Sequence, residues 1–426
     1  MSERILLCLA HMSGREMDFI KEAFDDNWVV PLGPNVNGFE RDLEDFVNRR
    51  EVAEPLHKKV VALSAGTAAV HLALIACGVE PGDEVLVQSF TFCASSHPVT
   101  YLGATPVFID SEKESWNMDP ELLDEAIKDR IAKTGCKPKA IIPVALYGMP
   151  YQIDRILEIA DRYGIPVIED AAEGFGSMYK GQVLGTFGEY SVLSFNGNKM
   201  ITTSGGGALV CPDADKAREI LWYATQARES YPYYQHEAIG YNYRMSNICA
   251  GIGRGQMTIV DEHIAHHRHV QALYEELLKD VKGITMHTNP GPEYDSNYWL
   301  CTATLDPDLR IKGQENAYKQ IITGAVGGAA GVTHTVATAT TDCQPNDNVE
   351  ALRMALDAAN IESRPLWKPM HRQPVYRDNP AYTNGVSESL FRVGICLPAG
   401  PWVTDAHVRY IVDQIKAAID WNQIKD

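Results

Sequence analysis

No stretch of these 426 residues approaches the roughly 20 consecutive apolar residues needed to span a bilayer. The N-terminus, "MSERILLCLAHMSG", sets an Arg and a Glu ahead of only a short apolar patch, so it reads as mature sequence rather than a secretion signal. Paired cysteines are missing as well. Nine occur, an odd number, without a single CxxC, which excludes a disulfide framework and fits a reducing compartment. Positive charge is scarce: 38 Lys and Arg against 56 Asp and Glu leave a net charge of -18, and no basic stretch offsets it. That balance excludes nucleic acid and anionic membranes as general partners, and an anionic substrate then needs a locally positive pocket. No GxGxxG follows an early strand, which disfavours an NAD-binding oxidoreductase. What these absences leave is a cytoplasmic globular protein of one large and one smaller domain.

From about residue 59, short apolar runs alternate with helical stretches. "KVVALS", "EVLVQS", "TPVFID", "KAIIPVAL" and "IPVIED" are the strands, and "GTAAVHLALIACG", "FCASSHPVTYLG", "MDPELLDEAIKDRIAK" and "YQIDRILEIADRYG" are the helices between them. Such units predict a mostly parallel sheet covered by helices on both faces, with ligands outside the carboxyl ends of its strands. "NICAGIGRGQMTIVDEHIAHHRHVQALYEELLKDV" reads as one long helix leading into a second domain, which holds "NYWLCTATL", a helix near "NDNVEALRMALDAAN", the strand-like "FRVGICLP" and a last helix after "WVTDAH". The expected division is 1–255 for the large domain, N-terminal segment included, and 256–426 for a smaller α+β domain. "IITGAVGGAAGVTHTVATATTDC", around 321–343, carries no formal charge before Asp342 and reads as an inserted loop or exposed hairpin.

The chemistry concentrates at strand ends. In "FNGNKMITTSGGGALV" a single lysine, Lys199, lies among small neutral residues between two core strands. Desolvation at such a place lowers an amine's pKa and makes it a nucleophile. In "VIEDAAEGFGS", Asp170 stands where an apolar strand runs out and Glu173 follows within one helical turn; a helix cap is the bland alternative. Asp110, ending "PVFID", is a similar acid with no evident role. "LSAGTAAVHLAL" places Ser64, Gly66 and Thr67 at a strand-to-helix turn, where free N–H groups suit a phosphate and simple N-capping is the competing reading. Phe90 and Phe92 follow the next strand, where one of them would stack on a planar ring; core packing explains them equally well. A lysine for an imine, an acid for a ring nitrogen, a phosphate turn and an aromatic platform are together the parts that hold pyridoxal 5'-phosphate.

Across nearly the whole chain, the insertion excepted, the sequence resembles the DegT/StrS-type sugar aminotransferases, pyridoxal phosphate enzymes of the fold type I, aspartate-aminotransferase kind. "NWVVPLGPNVNGFE", "SAGTAAVHLAL", "EDAAEGFGS", "SFNGNKMITTSGGGALV", "GYNYRMSN" and "RPLWKPMH" carry the resemblance, in that order. It implies that Lys199 bonds the cofactor, Asp170 faces its ring nitrogen and Glu173 stands near its phenolic oxygen. It further implies that Phe92 stacks on the ring, that Gly66, Thr67 and Ser194 contact the phosphate, and that Asn242 reaches the phosphate of the neighbouring subunit in a homodimer with shared active sites. Two positions depart from the pattern: Ala145 stands where many relatives carry a polar residue, and Glu173 replaces a commoner neutral one. Lys199 argues against the lysine-less dehydratase branch of the family.

Arg364, Trp367, Lys368 and His371, in "SRPLWKPMHRQPVY", mix positive and aromatic character suited to an anionic nucleotide-sugar, although a packing cluster is as good a reading of them in isolation. The resemblance points to C4 amination of a 4-keto-6-deoxy sugar nucleotide, UDP-2-acetamido-4-keto-2,6-dideoxyhexose, with glutamate as amino donor. Its alternatives are a GDP-4-keto-6-deoxymannose aminotransferase of the perosamine-synthase type and a non-catalytic pyridoxal phosphate-binding protein. His263 and His267 stand at i, i+4 on a helix, a zinc-compatible spacing. They lack an HExxH order and a third ligand, so a helix face or subunit contact is expected and no metal.

Overall fold

The computed structural model describes residues 3–50, 53–318, 323–325, 333–335 and 343–421. Seven strands build the main sheet: β1 (Lys59–Leu63), β2 (Glu84–Gln88), β3 (Thr105–Ile109), β4 (Ala140–Ile142), β5 (Ile168–Asp170), β6 (Tyr190–Ser194) and β7 (Gly207–Cys211). Parallel bridges Ile141–Val167 and Val144–Asp170 join β3-β2-β4 to β5-β6-β7-β1, giving the order 3-2-4-5-6-7-1. Only β7 runs antiparallel to its neighbours among these seven.

Side chains alternate across the sheet, and both faces are covered. Val60, Ala62, Leu86, Val107, Ile141, Leu193, Ala208 and Val210 enter one apolar cluster, whereas Val61, Leu63, Val85, Val87, Phe108, Ile142, Val192 and Leu209 enter the other. Burial on both sides explains why these strands read as unbroken apolar runs rather than as alternating patterns. Helices α1 (Pro34–Val47), α2 (Pro120–Thr134) and α3 (Ile153–Tyr163) supply Phe39, Leu43, Leu123, Ile127, Ile156 and Ile159 to the first cluster. Local signals fix their ends: in α2 Asp119 accepts the N–H groups of Glu121 and Leu122, and Gly135 stops the helix in a left-handed conformation.

A second sheet, antiparallel, pairs Ile284–Met286, Cys301–Leu305, Gly394–Leu397 and Arg364–Pro365 in that order. With the helices Asp347–Ala358 and Asp405–Ala418 it encloses a separate core that includes Trp299, Leu352 and Ile411. Both ends of the chain complicate a division at one point. Ile5 bridges Ile361 and joins the second core, while Ala381–Tyr382 pairs in parallel with β3 of the main sheet.

Three elements differ from expectation. The long helix after Ser246 is two, Asn247–Met257 and Val260–Leu278, interrupted at Thr258 and Ile259. "FCASSHPVTYLG" is a 3-10 turn, Cys93–Ser95, and a short helix, His97–Tyr101, because Pro98 lacks the N–H needed to continue through it. "FRVGICLP" divides between the end of helix Val386–Val393 and the strand Gly394–Leu397. Within the insertion, Thr323–Ala325 and Thr333–Thr335 pair antiparallel as a hairpin would; the rest of 319–342 lies outside the described residues. Among the described residues no helix is long and apolar enough to cross a membrane.

Candidate active site

A cavity of about 330 Å³ opens along the carboxyl edge of the main sheet. Ser64, Gly66 and Thr67 reach it from the end of β1, Phe92 and Ser95 from beyond β2, Asp170 and Glu173 from β5, and Ser194 and Lys199 from β6 and the loop after it. Trp299 and Trp367 close it from the second module. The strand ends thus bring Lys199, Asp170, Glu173, Gly66, Thr67, Phe92 and Ser194 to one place.

Asp170 is nearly inaccessible to solvent. One carboxylate oxygen accepts the Ser95 hydroxyl at 2.6 Å and the other accepts the Ala172 N–H at 3.1 Å. Thr91, 2.9 Å from the Ser95 hydroxyl, completes that support. Burial raises the Asp170 pKa above the ordinary carboxylate value, opposed by these hydrogen bonds and by the nearby Lys199 charge. A cationic partner in the cavity would therefore be strongly favoured beside it.

Lys199 extends its Nζ to 4.0 Å from the centre of the Trp299 ring and 3.4 Å from Glu173 Oε1. The Trp299 indole N–H donates to the Asn198 carbonyl at 2.6 Å, so one residue supports both the lysine's side chain and the peptide before it. Glu173 is held in turn by the Tyr147 N–H, 2.7 Å from its other oxygen. Burial raises the Glu173 pKa, and the Lys199 charge opposes the rise. Trp299 escaped the sequence reading: it stands two residues before a strand a hundred positions away, and nothing local distinguishes it from any core tryptophan.

The phosphate turn is built by close backbone approach. The helix Gly66–Ala76 has no side-chain cap at Ala65, which leaves its first N–H groups free of side-chain acceptors. A Cβ at Gly207 would lie 2.4 Å from the Gly66 nitrogen, and one at Gly66 would lie 3.1 Å from the Ser194 Cβ. At Gly207 only glycine lets β7 and this turn approach so closely, and at Gly66 a larger residue would have to push Ser194 aside. The resulting cradle, with N–H groups and hydroxyls at one end, a buried carboxylate and an amine, fits a phosphorylated pyridine aldehyde.

The remaining predicted residues divide between the cavity and places away from it. Phe92 lines the cavity, half exposed, with its ring 5.4 Å from Trp367, while Phe90 is fully buried in the second core. Of the four residues in "RPLWKPMH", only Trp367 lines the cavity. Arg364 is exposed and pairs with Glu362 at 2.9 Å. His371 is tied to the Ser89 hydroxyl at 2.7 Å and to Glu388 at 3.2 Å, and Lys368 is half-buried outside the lining. Asn242 is exposed, bridges Thr225, and does not reach the cavity of its own chain. Ala145 is buried against Gly174, where a Cβ would lie 2.8 Å from its own. His263 and His267 lie on the helix Val260–Leu278 and are buried inside the chain, so of the expected helix face or subunit contact the second is corrected: their Nδ1 atoms face the Met200 and Tyr298 carbonyls. Among the described residues no group of three His, Cys, Asp or Glu side chains is placed to hold a metal.

The chain is similar to known proteins over nearly its whole length. The model of the DegT/DnrJ/EryC1/StrS aminotransferase family matches residues 11–323 and 314–416. EpsN of Bacillus subtilis, named for an inferred pyridoxal phosphate-dependent aminotransferase activity, is 42% identical over 412 residues, 95% of this chain and 93% of its own length. The GDP-perosamine synthase of Escherichia coli O157:H7 is 33% identical over 405 residues, 95% of each chain. Among solved structures, a DegT DnrJ EryC1 StrS aminotransferase from Brucella abortus matches with a TM-score of 0.78 at 27% identity, over 95% of each chain. The chain belongs to the DegT/DnrJ/EryC1/StrS family and is a pyridoxal phosphate-dependent sugar aminotransferase.

Proposed function

We propose that this chain moves an amino group from glutamate to C4 of a 4-keto-6-deoxy nucleotide sugar, with UDP-2-acetamido-4-keto-2,6-dideoxyhexose as acceptor. The observation that carries the reading is the cavity wall: Trp367, from "RPLWKPMH", and Phe92 face the lysine and the aspartate across one space. When bound, the cofactor supplies an aldehyde for the lysine and an electron-poor ring that stabilises negative charge at the donor carbon. Asp170, fixed by Ser95 and Ala172, holds a proton on the ring nitrogen. With the cofactor bound, the Lys199 amine would take the proton from the donor carbon and return one to the acceptor carbon. Glu173 and Trp299 limit the arc through which that amine swings. Gly66, Thr67 and Ser194, which line the same cavity, would hold the phosphate.

A GDP-4-keto-6-deoxymannose acceptor is the second reading, favoured by the GDP-perosamine synthase relatives. Incubation with glutamate and a panel of 4-keto nucleotide sugars, followed by mass spectrometry, separates the two. The UDP reading requires at least about tenfold higher kcat/KM for the acetamido sugar, the cost of leaving one buried hydrogen bond unmade; comparable values for both sugars would sink it.

The site is shared in a two-fold dimer, in the same proposal. The loop carrying Asn242 also carries Tyr231, Tyr233, Tyr234 and Ile239, all exposed. A second copy covering them is the arrangement in which Asn242, by the family resemblance, would reach the partner's phosphate. Lys199→Ala and Asn242→Asp homodimers should each be weak. Their heterodimer carries both lesions in one site and neither in the other, so it should regain about half the wild-type rate. Activity no higher than that of the parents would assign Asn242 to its own chain.

A further inference from the structure

The geometry points to His263 as a positioning residue for Lys199, acting through the Met200 carbonyl. Neighbouring groups do not crowd the glycines of the loop that carries the lysine: a Cβ at Gly197 or at Gly205 would meet nothing within 4 Å. Yet the carbonyls on either side of Lys199 are both claimed from outside the loop. Asn198 O accepts the Trp299 indole N–H at 2.6 Å, and Met200 O stands 3.3 Å from His263 Nδ1.

A carbonyl only accepts, so the hydrogen is on His263 Nδ1 and, in the neutral ring, Nε2 is a bare acceptor. His11 Nδ1, 3.2 Å from that Nε2, must then be the donor of the second bond. Burial lowers the His263 pKa, in keeping with a neutral ring. Gln256 braces the next turn of the loop, with Oε1 3.3 Å from the Thr202 N–H, while its amide donates to His11 O and Glu16 Oε1 at 2.8 and 2.7 Å. The peptide planes around the lysine are thereby fixed to the helix Val260–Leu278 and to the N-terminal segment. A small rotation of either plane is magnified along the lysine's four-carbon stem. Displacements of about 1 Å cost reaction rates as much as about 100-fold.

Side-chain geometry supplies a sharp test. Asparagine places an N–H where His263 has Nδ1, whereas glutamine places its amide near the Nε2 position and cannot serve Met200. His263→Asn, His263→Gln and His263→Leu are to be compared by kcat, by KM for the amino donor, and by melting temperature. A second readout needs no cofactor: the rate of reductive methylation of Lys199 in the cofactor-free protein, mapped by mass spectrometry. The Gln and Leu variants should lose about tenfold in kcat at unchanged KM, and the Lys199 methylation rate should change. The Asn variant should restore both to within about twofold. If Asn and Gln behave alike, whatever the size of their effect, His263 does not act through Met200 and the assignment falls. Should the Leu variant fail to fold, the Asn and Gln pair still decides.

Discussion

Asp110 and Asp170 each stand at the carboxyl end of an apolar run of the same sheet, both buried, and they are put to opposite uses. Asp110 is saturated: one oxygen accepts the Ser111 and Ser387 N–H groups at 2.8 and 3.1 Å, the other those of Asn384 and Gly385 at 3.1 and 2.9 Å. It fastens the turn before helix Val386–Val393 to the sheet edge. Asp170 receives one hydroxyl and one N–H and keeps the rest of its capacity for whatever enters the cavity. Function resides in that unspent capacity, since position and burial are common to the two acids.

The difference can be broken outright at its catalytic end. Lys199→Ala removes the amine that Asp170 serves, so transamination should fall by more than about 10⁴-fold, the span of acid–base and covalent contributions together, with the fold retained. Wild-type rates without added amine would contradict this. Next in size, Asp170→Asn should bind cofactor yet lose at least about 100-fold in kcat, because the ring nitrogen loses its anionic partner. A loss within about threefold, under 1 kcal/mol of barrier, would take Asp170 out of the role.

Asp110→Asn makes the reverse case. Its activity should stay within about threefold, while stability falls by about 2 kcal/mol as backbone N–H groups lose a charged acceptor, read as a lower melting temperature. The smallest effect has the opposite sign. Burial raises the folded-state pKa of Asp170, so its ionised form opposes folding above that pKa, and the penalty is gone below the unfolded value near 3.8. Cofactor-free Asp170→Asn should thus melt slightly above wild type at neutral pH, and the gain should vanish as the pH falls toward 3.8. A melting temperature below wild type at neutral pH would mean that Asp170, like Asp110, is chiefly an anchor.

The same pair shows where the sequence stops being readable. Apolar runs of four or five residues announced the strands, because burial on both faces leaves no polar alternation to interpret. The lysine, Asp170 and the Ser64–Thr67 turn were legible because glycines and strand ends mark them locally. Asp110 looked equivalent to Asp170, since the four N–H groups that occupy it come mainly from residues some 275 positions later. Trp299 was invisible for the same reason, and so was the use of His263: each acts on a loop to which only tertiary folding brings it. The break at Thr258 and Ile259 escaped because neither residue is a helix breaker by type.

Trp299 belongs to the core of the second module, yet it lies beneath the lysine of the first. Any tilt of the second module withdraws the ring from the amine and the indole donor from Asn198 in a single movement. The reactivity of one amine is therefore a gauge of how the two halves are seated, and damage remote from the cavity, anywhere along that seam, should register there before the protein unfolds.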